Sequence, residues 1–269
     1  MKKTACFFII ACFLFFFTAC SQKVEQQQTT LHLSVGERVG IYTGDVYRNV
    51  PHGQGTFETK NSEGITWSYE GNFQNGLFHG QGKMVFPTQT YEGTFKNGNL
   101  VNGKYFINGR LLYEGGFNPA SNPYLYSGEG KLYDTKGTLL IEGKFENGRP
   151  ADKQHLLSLC KQIPPAVLTQ NSEEYLNQLI TVNGSVKAIL PQVAKNGELS
   201  LNGYVIALDN HIQTTALIYH YTSEANPVIR LDDTIVVYGQ SAGLVAHTAD
   251  DRNNITLPSI TAFYVDLIK

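Results

Sequence analysis

Aromatic and polar residues alternate along the first half of the chain, in a unit that recurs. Tyr69-Glu-Gly-Asn-Phe73 returns 22 residues later as Tyr91-Glu-Gly-Thr-Phe95, and again as Tyr113-Glu-Gly-Gly-Phe117. Weaker copies lie at residues 42–46 and 141–145. Because alternate residues of a strand point to the same face, the Tyr, Gly and Phe of each unit share one face. The pattern predicts one β-strand per unit, with an aromatic face that must be buried.

A turn signal and a second glycine-bearing segment follow the units. In three of the units, one residue separates the phenylalanine from an Asn-Gly pair. The pairs are Asn75-Gly76, Asn97-Gly98 and Asn147-Gly148. Both residues of such a pair tolerate positive φ, as a type I′ hairpin turn requires. Segments such as Gly80-Gln-Gly82 come next and leave room for a neighbouring aromatic ring. Each repeat is therefore predicted to be one hairpin, and stacked hairpins are predicted to form an elongated sheet over residues 39–150.

This pattern resembles the MORN repeat family, whose motif the residues from Tyr69 to Gly82 match at nearly every position. The resemblance implies an interaction or spacer module, and some eukaryotic members of the family are linked to membranes and phospholipids. The sequence departs from the motif at Asn102-Gly-Lys104, where a second glycine is expected, and at residues 118–123, which replace an Asn-Gly turn.

The repeat tyrosines have two interpretations. Period-two aromatics favour the core of the array, because such rings hold a sheet of this kind together. The alternative is a candidate binding surface. The residues concerned are Tyr42, Tyr69, Tyr91 and Tyr113.

Glycine becomes rare after Pro150, and the pattern of apolar positions changes. Helical spacing predicts a short helix over residues 152–163, with Cys160 as a small core residue, and a second helix over residues 172–179. Runs rich in Val, Ile, Thr and Tyr then predict five strands, over residues 180–190, 199–208, 214–221, 234–239 and 260–268.

Five strands over residues 180–269, behind a helical linker at residues 151–179, predict a small closed barrel. Val182-Asn-Gly-Ser-Val186 resembles the bent first strand of an OB-fold, a family that binds oligonucleotides or oligosaccharides on one face. Another small barrel or a sandwich is the alternative. The expected fold is thus mainly β: an elongated sheet of MORN-type hairpins followed by a small OB-like β-barrel, with one or two short helices.

The N-terminus carries the features of an export signal. Met1-Lys-Lys3 precedes an apolar run of about 15 residues, shorter than the ~20 that a membrane-spanning helix needs. Phe17-Thr-Ala-Cys20 resembles the bacterial lipobox, with Phe17 where leucine is common. The resemblance implies a signal peptide over residues 1–19, a lipidated Cys20 that begins a polar tether over residues 20–38, and a lipid-anchored protein that faces outside the cytoplasm. An uncleaved anchor, or cleavage that leaves Cys20 as a free thiol, is the alternative.

Composition and charge argue against a nucleic-acid partner, and the positions of the cysteines argue against a disulfide. Charged residues make up 16% of the chain and the net charge is −2, so the sequence carries no basic footprint for nucleic acid. Cys6 and Cys12 would leave with the signal peptide and Cys20 would carry lipid, which leaves Cys160 alone and excludes an intramolecular disulfide.

One stretch imitates a catalytic motif. Gly239-Gln-Ser-Ala-Gly243 matches Gly-x-Ser-x-Gly, and His247 and Asp250 follow. A hydrolase elbow needs a strand, a sharp turn and a helix, and its acid precedes its histidine along the chain, whereas here the histidine comes first. The stretch is predicted to be a loop between the last two strands, so we expect no catalytic residue. The sequence also carries no phosphate-binding loop and no metal-ligand cysteine set, so we expect no metal site and no cofactor.

Together these features predict a membrane-anchored extracytoplasmic lipoprotein that acts as a non-catalytic binding or scaffolding module. The expected partners are the membrane, through the lipid anchor, and an envelope protein or glycan, but not nucleic acid. The alternatives are a hydrolase of envelope polymers, and an immunity or inhibitor protein that acts on a partner.

Overall fold

The computed structural model describes residues 22–34, 36–61, 64–121, 124–190, 194–196, 199–208, 214–222, 228–248 and 254–268. The predicted signal peptide and Cys20 lie outside these residues. Two β structures follow one another along the chain, with two short helices between them. The predicted mainly β class, with a hairpin sheet before a barrel, is confirmed.

Eleven strands form one antiparallel sheet, here called the array, in which each strand pairs with the next one along the chain. Their bounds are β1 Gln22–Leu33, β2 Gly36–Tyr47, β3 Val50–Lys60, β4 Thr66–Gln74, β5 Leu77–Val85, β6 Gln89–Lys96, β7 Asn99–Ile107, β8 Arg110–Asn118, β9 Leu125–Tyr133, β10 Leu139–Glu146 and β11 Arg149–Pro150.

The Asn-Gly pairs form the hairpin turns that the sequence predicted. Asn75 and Gly76 have φ of 51° and 78°, which is the pair of positive values that a type I′ turn requires. The Gly76 amide also donates to the carbonyl of Pro51 in the preceding hairpin, at 2.9 Å. Gly98 donates to Phe78 in the same way, also at 2.9 Å. The turns therefore join neighbouring repeats as well as the two strands of one hairpin.

Register places equivalent residues in rows that cross the sheet. The most regular row consists of glycines on nine consecutive strands: Gly44, Gly55, Gly71, Gly82, Gly93, Gly103, Gly115, Gly130 and Gly143. A Cβ atom at Gly82 would overlap the hydroxyl of Tyr69, so the ring packs directly over the backbone. Gly103 keeps its place in this row, so the glycine that this repeat lacks is the earlier one of the pair: Val101 stands two residues before Gly103, as Gly80 stands two residues before Gly82.

The opposite face of the sheet carries a ladder of alternating charges. Adjacent strands pair these residues in the order Glu70, Lys83, Glu92, Lys104, Glu114, Lys131 and Glu142. Lys83 Nζ lies 2.7 Å from Glu92 Oε1. Because neighbouring charges have opposite sign, this face is polar without being strongly basic or acidic.

The predicted tether over residues 20–38 is wrong for residues 22–33, which form β1 and pair with β2. Its mostly polar sequence suits an edge strand that solvent reaches, and Leu31 alone among its residues is buried. The Ser34 hydroxyl donates to Asn99 Oδ1 at 2.6 Å. In a flat sheet β1 and β7 would lie about 29 Å apart, so the sheet must curve towards its aromatic face to bring Ser34 and Asn99 together.

The segment between the array and the barrel is only partly helical as predicted. Helix α1 spans Lys153–Leu159, and α2 spans Pro165–Gln170. Asp152 caps α1 by accepting a hydrogen bond from the His155 amide at 2.9 Å. The helix predicted over residues 152–163 ends earlier, at Leu159, and Pro165 begins a separate helix, because proline suits the first turn. The helix predicted over residues 172–179 is a single 3₁₀ turn, Ser172–Tyr175.

Five strands close into the barrel that the sequence predicted. They are β13 Leu179–Ile189, β15 Leu199–Leu208, β16 Thr215–Thr222, β17 Thr234–Thr248 and β18 Asn254–Leu267, and the short strands β12 Lys161–Gln162 and β14 Ala194–Asn196 pair at the margins. The order around the barrel is β13-β15-β16-β18-β17 and back to β13, with the β16–β18 pair parallel and the rest antiparallel. Leu168 of α2 joins the barrel core. Among the described residues, no helix is both long and apolar enough to cross a membrane.

Candidate functional site

All four repeat tyrosines belong to the core of the array, and three of them are completely buried there. Tyr42, Tyr69 and Tyr113 are 0% exposed. Each hydroxyl donates to the backbone carbonyl three residues further along, at 2.6 Å for Tyr42 and 3.0 Å for the other two. Because ring and hydroxyl are both satisfied inside the array, the proposed binding surface is wrong for these three residues.

Tyr91 interrupts a regular contact between repeats. Elsewhere the tyrosine of one repeat meets the phenylalanine of the next edge-on, with ring centroids 5.1 Å apart in the pairs Tyr42–Phe73, Tyr69–Phe95 and Tyr113–Phe145. The distance from Tyr91 to Phe117 is 6.3 Å. Tyr91 stacks on Tyr105 at 4.6 Å, a wider spacing than the 4.0 Å of Tyr69 and Phe78.

The cause lies in the return strand of this repeat. In β5 four residues lead from Phe78 to the glycine row, whereas in β7 three lead from Leu100 to Gly103. A leucine therefore stands where the preceding repeat has a phenylalanine, and the strand reaches the row one residue sooner. The edge-on contact between repeats is longer here than at the other three positions.

A cleft of about 510 Å³ lies here, between the inner face of the array and the barrel. Strands β6 to β9 line one side, and β15 to β18 line the other. Six tyrosines contribute to the walls: Tyr91, Tyr105, Tyr124, Tyr126, Tyr219 and Tyr221. The volume lies within the ~300–1,000 Å³ that is usual for small-molecule sites.

Neutral polar groups accompany the tyrosines. The amide side chains are Gln89, Asn147, Asn177 and Gln240. Among the described residues that line the cleft, Arg149 is the one that carries a charge. The Ser241 hydroxyl is buried at the wall without a hydrogen-bond partner in the described part of the chain. The cleft thus combines apolar ring faces with hydrogen-bonding groups and little net charge.

The cleft hydroxyls keep their protons. Burial raises the pKa of Tyr105 to about 12, and it raises the pKa values of Tyr91 and Tyr126 well above the ordinary value of 10.0. Hydroxyls of this kind donate and accept hydrogen bonds at neutral pH but do not act as bases.

Three segments of the array match the family model described as MORN repeat, at residues 42–62, 69–90 and 91–109. These segments are MORN repeats. The glycine row of the array continues beyond residue 109, through Gly115, Gly130 and Gly143. No curated protein matches the chain.

The junction between the MORN array and the barrel sets the width of the cleft. The Tyr264 hydroxyl donates to the Pro150 carbonyl at 2.7 Å, and the Arg149 guanidinium lies 4.8 Å from the centre of the Tyr264 ring. Lys153 Nζ pairs with Asp266 at 2.6 Å. Polar contacts on β11, α1 and β18 therefore hold the two halves at a defined distance.

The Gly-x-Ser-x-Gly stretch is not the loop that the sequence predicted, because residues 239–243 lie within β17. Ser241 is 1% exposed, and its backbone amide donates to the Gln178 carbonyl at 3.1 Å. His247 lies six residues further along the same strand, or about 20 Å at the usual rise. Asp250 lies outside the described residues. Ser241 and His247 are therefore too far apart for nucleophilic catalysis.

Two other predictions concern metal and thiol chemistry. Within the described residues, no three His, Cys, Asp or Glu side chains gather at a position that could hold a metal ion. Cys160 is half-buried against the core of the MORN array, as a small core residue was expected to be. Burial raises the pKa of its thiol to about 11, so the thiol stays protonated at neutral pH.

Sequence reasoning missed most of the cleft. It singled out Tyr91 but not the tyrosines of β16 and β9, because these lie outside the repeat motif. A signal existed, since Tyr124 and Tyr126, like Tyr219 and Tyr221, occupy alternate positions and so share a face of their segment. That the two faces meet depends on the junction, which no local pattern encodes.

Proposed function

We propose that this protein is a membrane-anchored extracytoplasmic lipoprotein that acts as a non-catalytic binding module at the cell envelope. The observation that supports binding is the tyrosine-lined cleft of about 510 Å³ between the MORN array and the barrel. Both halves contribute walls, so the chain needs both to form the site. Burial of Ser241 within β17 argues against a hydrolase.

The lipid anchor rests on the Phe17-Thr-Ala-Cys20 segment and the apolar run before it. Strand β1 begins at Gln22, two residues after Cys20. A lipid on Cys20 would therefore hold the first edge of the MORN array next to the bilayer rather than at the end of a long tether. Two or three acyl chains, at ~0.8 kcal/mol per buried CH₂ group, would suffice to anchor it.

The barrel supports an OB-like assignment. Its strands close in the order first, second, third, fifth, fourth and back to the first. In OB-folds the face formed by the second and third strands binds ligands. Here those strands are β15 and β16, and they turn Leu201, Tyr219 and Tyr221 towards the cleft.

An envelope glycan or protein suits this site better than nucleic acid. A polynucleotide needs several cations to neutralise its phosphates. Among the described residues that line the cleft, Arg149 supplies the cation. The charge ladder on the outer face of the array alternates in sign, so it does not form a basic surface either. An immunity or inhibitor role would use the same cleft with a protein as partner.

Membrane fractionation tests the anchor. The substitution Cys20→Ala should move the protein from the membrane to the soluble fraction, because it removes the site of lipidation. A matched Cys160→Ala variant should stay with the membrane. If Cys20→Ala leaves the protein in the membrane fraction, the lipid anchor at Cys20 is wrong.

Crosslinking in cells tests the binding role. A photoreactive residue at position 89, on the exposed rim of the cleft, should capture envelope material, and Tyr221→Ala should abolish that capture. The same photoreactive residue at position 47, where Tyr47 is 47% exposed on the array, is the control and should capture far less. Equal capture at both positions, or capture unaffected by Tyr221→Ala, would rule out the cleft as the binding site.

A further inference from the structure

We propose that the cleft binds a short neutral oligosaccharide. This inference rests on the proposed function, because it names the class of ligand for the same site. Three properties of the cleft carry it: the faces of its rings, the kind of hydrogen-bonding groups beside them, and the scarcity of charge.

The rings form two facing walls. On the array side, Tyr91 and Tyr105 stack at 4.6 Å, and Tyr124 meets Tyr91 edge-on at 5.4 Å. On the barrel side, Tyr219 and Tyr221 occupy alternate positions of β16, about 7 Å apart on one face. The face of an aromatic ring is electron-rich, so the polarised C–H groups on the flat side of a sugar ring pack favourably against it.

The hydrogen-bonding groups both donate and accept. Tyrosine hydroxyls and the amides of Asn and Gln have this double capacity, and so do the hydroxyls of a sugar. The backbone of Asn177 is held on both sides: its backbone amide donates to the Ser241 carbonyl at 2.8 Å, and its backbone carbonyl accepts from Gln240 Nε2 at 2.9 Å. Asn177 itself lines the cleft wall.

Other ligand classes match less of this surface. A proline-rich peptide presents carbonyl acceptors but few donors, so it would use half of the hydrogen-bonding capacity. An acyl chain would leave the buried hydroxyls without partners, at a cost for each. An anion would meet one guanidinium, that of Arg149, which already stacks on Tyr264.

Calorimetric titration of the full lipidated protein tests the inference directly. The probes are the trimer of N-acetylglucosamine and cellotriose, and the detergent must carry no sugar headgroup, because a glucoside would compete. We expect at least one trimer to bind, and Tyr221→Ala to weaken its binding by about tenfold or more through the loss of a ring face. The control Tyr47→Ala should leave the dissociation constant unchanged.

A second variant separates binding from folding. Tyr219→Phe combined with Tyr221→Phe keeps both rings and removes two hydroxyls, so it should fold as the wild type does and bind the trimer several-fold more weakly. Circular dichroism of each variant verifies the fold. If Tyr221→Ala fails to fold, the double phenylalanine variant still gives the result, and unchanged binding by it contradicts the inference.

The remaining outcomes distinguish the ligand class from the proposed function. If neither trimer binds, the inference is wrong, while crosslinking from position 89 still decides whether the cleft binds envelope material. If decaproline binds instead, and Tyr221→Ala removes that binding, the cleft is a binding site but its ligand is a peptide. If a trimer binds but Cys20→Ala leaves the protein in the membrane fraction, the inference stands and only the lipid anchor at Cys20 is wrong.

Discussion

Two consecutive MORN repeats differ in what surrounds the same motif tyrosine. Tyr69 is 0% exposed, stacks on Phe78 at 4.0 Å and meets Phe95 at 5.1 Å. Tyr91, one repeat later, is 6% exposed and lines the cleft beside Tyr105. In the first of these repeats the return strand places an aromatic ring opposite the motif phenylalanine, as Phe78 lies opposite Phe73, and the core is closed. Where that strand is one residue shorter and carries leucine, the same core opens into a site.

The largest expected effect comes from removing each of these tyrosines in turn. Tyr69→Ala should lower the free energy of unfolding by about 3–5 kcal/mol, because it leaves a sealed cavity. Tyr91→Ala should cost about 2 kcal/mol, since the space joins a cleft that already exists. Urea unfolding followed by the fluorescence of Trp67, the single tryptophan, reports on the array itself. Equal losses for the two variants would contradict the difference between the repeats.

The second expected effect is a loss of stability at low pH that concerns the barrel and not the array. His220 is 3% exposed in β16, and burial, together with the charge of Arg149, lowers its pKa from 6.5 to about 4. The unfolded chain therefore binds a proton at pH values where the folded protein does not. Stability from this group is complete above pH 6.5 and is lost as the pH falls towards 4, by about 3 kcal/mol in total.

The pH effect is measured by amide hydrogen exchange along β16 between pH 7 and pH 4. His220→Phe removes the titrating group, so protection in the variant should depend less on pH than in the wild type. His32, which is exposed on the array, supplies the control: His32→Phe should leave the pH dependence unchanged. If wild type and His220→Phe lose protection in parallel, another group causes the loss.

The smallest expected effect lies on the outer face that both repeats share. A double-mutant cycle with Lys83→Ala and Glu92→Ala, which pair across β5 and β6, should give a coupling energy of about 0.5 kcal/mol. High salt should remove it, because both side chains are largely exposed. A coupling energy well above 1 kcal/mol would contradict this expectation and show that the charge ladder contributes substantially to the stability of the array.

The array could be predicted from the sequence because its information is local. The Tyr-Gly-Phe units and the Asn-Gly turns each specify a strand or a turn by themselves, and register follows from their period. Each lysine or glutamate of the charge ladder is next to a glycine of the row in the sequence, so its position is also local information. That these charges alternate across the sheet becomes visible only once the strands are paired. Strand β1 was mistaken for a tether because an edge strand exposed to solvent reads as polar sequence.

The cleft could not be predicted in the same way. Tyr219 and Tyr221 are more than a hundred residues from Tyr91 in the sequence. They line the same cleft because the barrel is held against the array, in part by the hydrogen bond from Tyr264 to Pro150. Helix α2 was missed for a related reason, since proline can end one helix or begin another and the choice depends on what packs there. Local patterns specify elements, whereas sites between elements depend on how those elements pack.

Fluorine NMR of the full protein, labelled with 3-fluorotyrosine and titrated with the N-acetylglucosamine trimer or cellotriose, tests whether both walls of the cleft contact one ligand. Resonances are assigned by single Tyr→Phe substitutions. We expect Tyr105 and Tyr221, on opposite walls of the cleft, to shift together and saturate at one ligand concentration while Tyr69 stays unchanged. Shifts confined to exposed tyrosines such as Tyr47, or absent from both walls, would contradict this expectation.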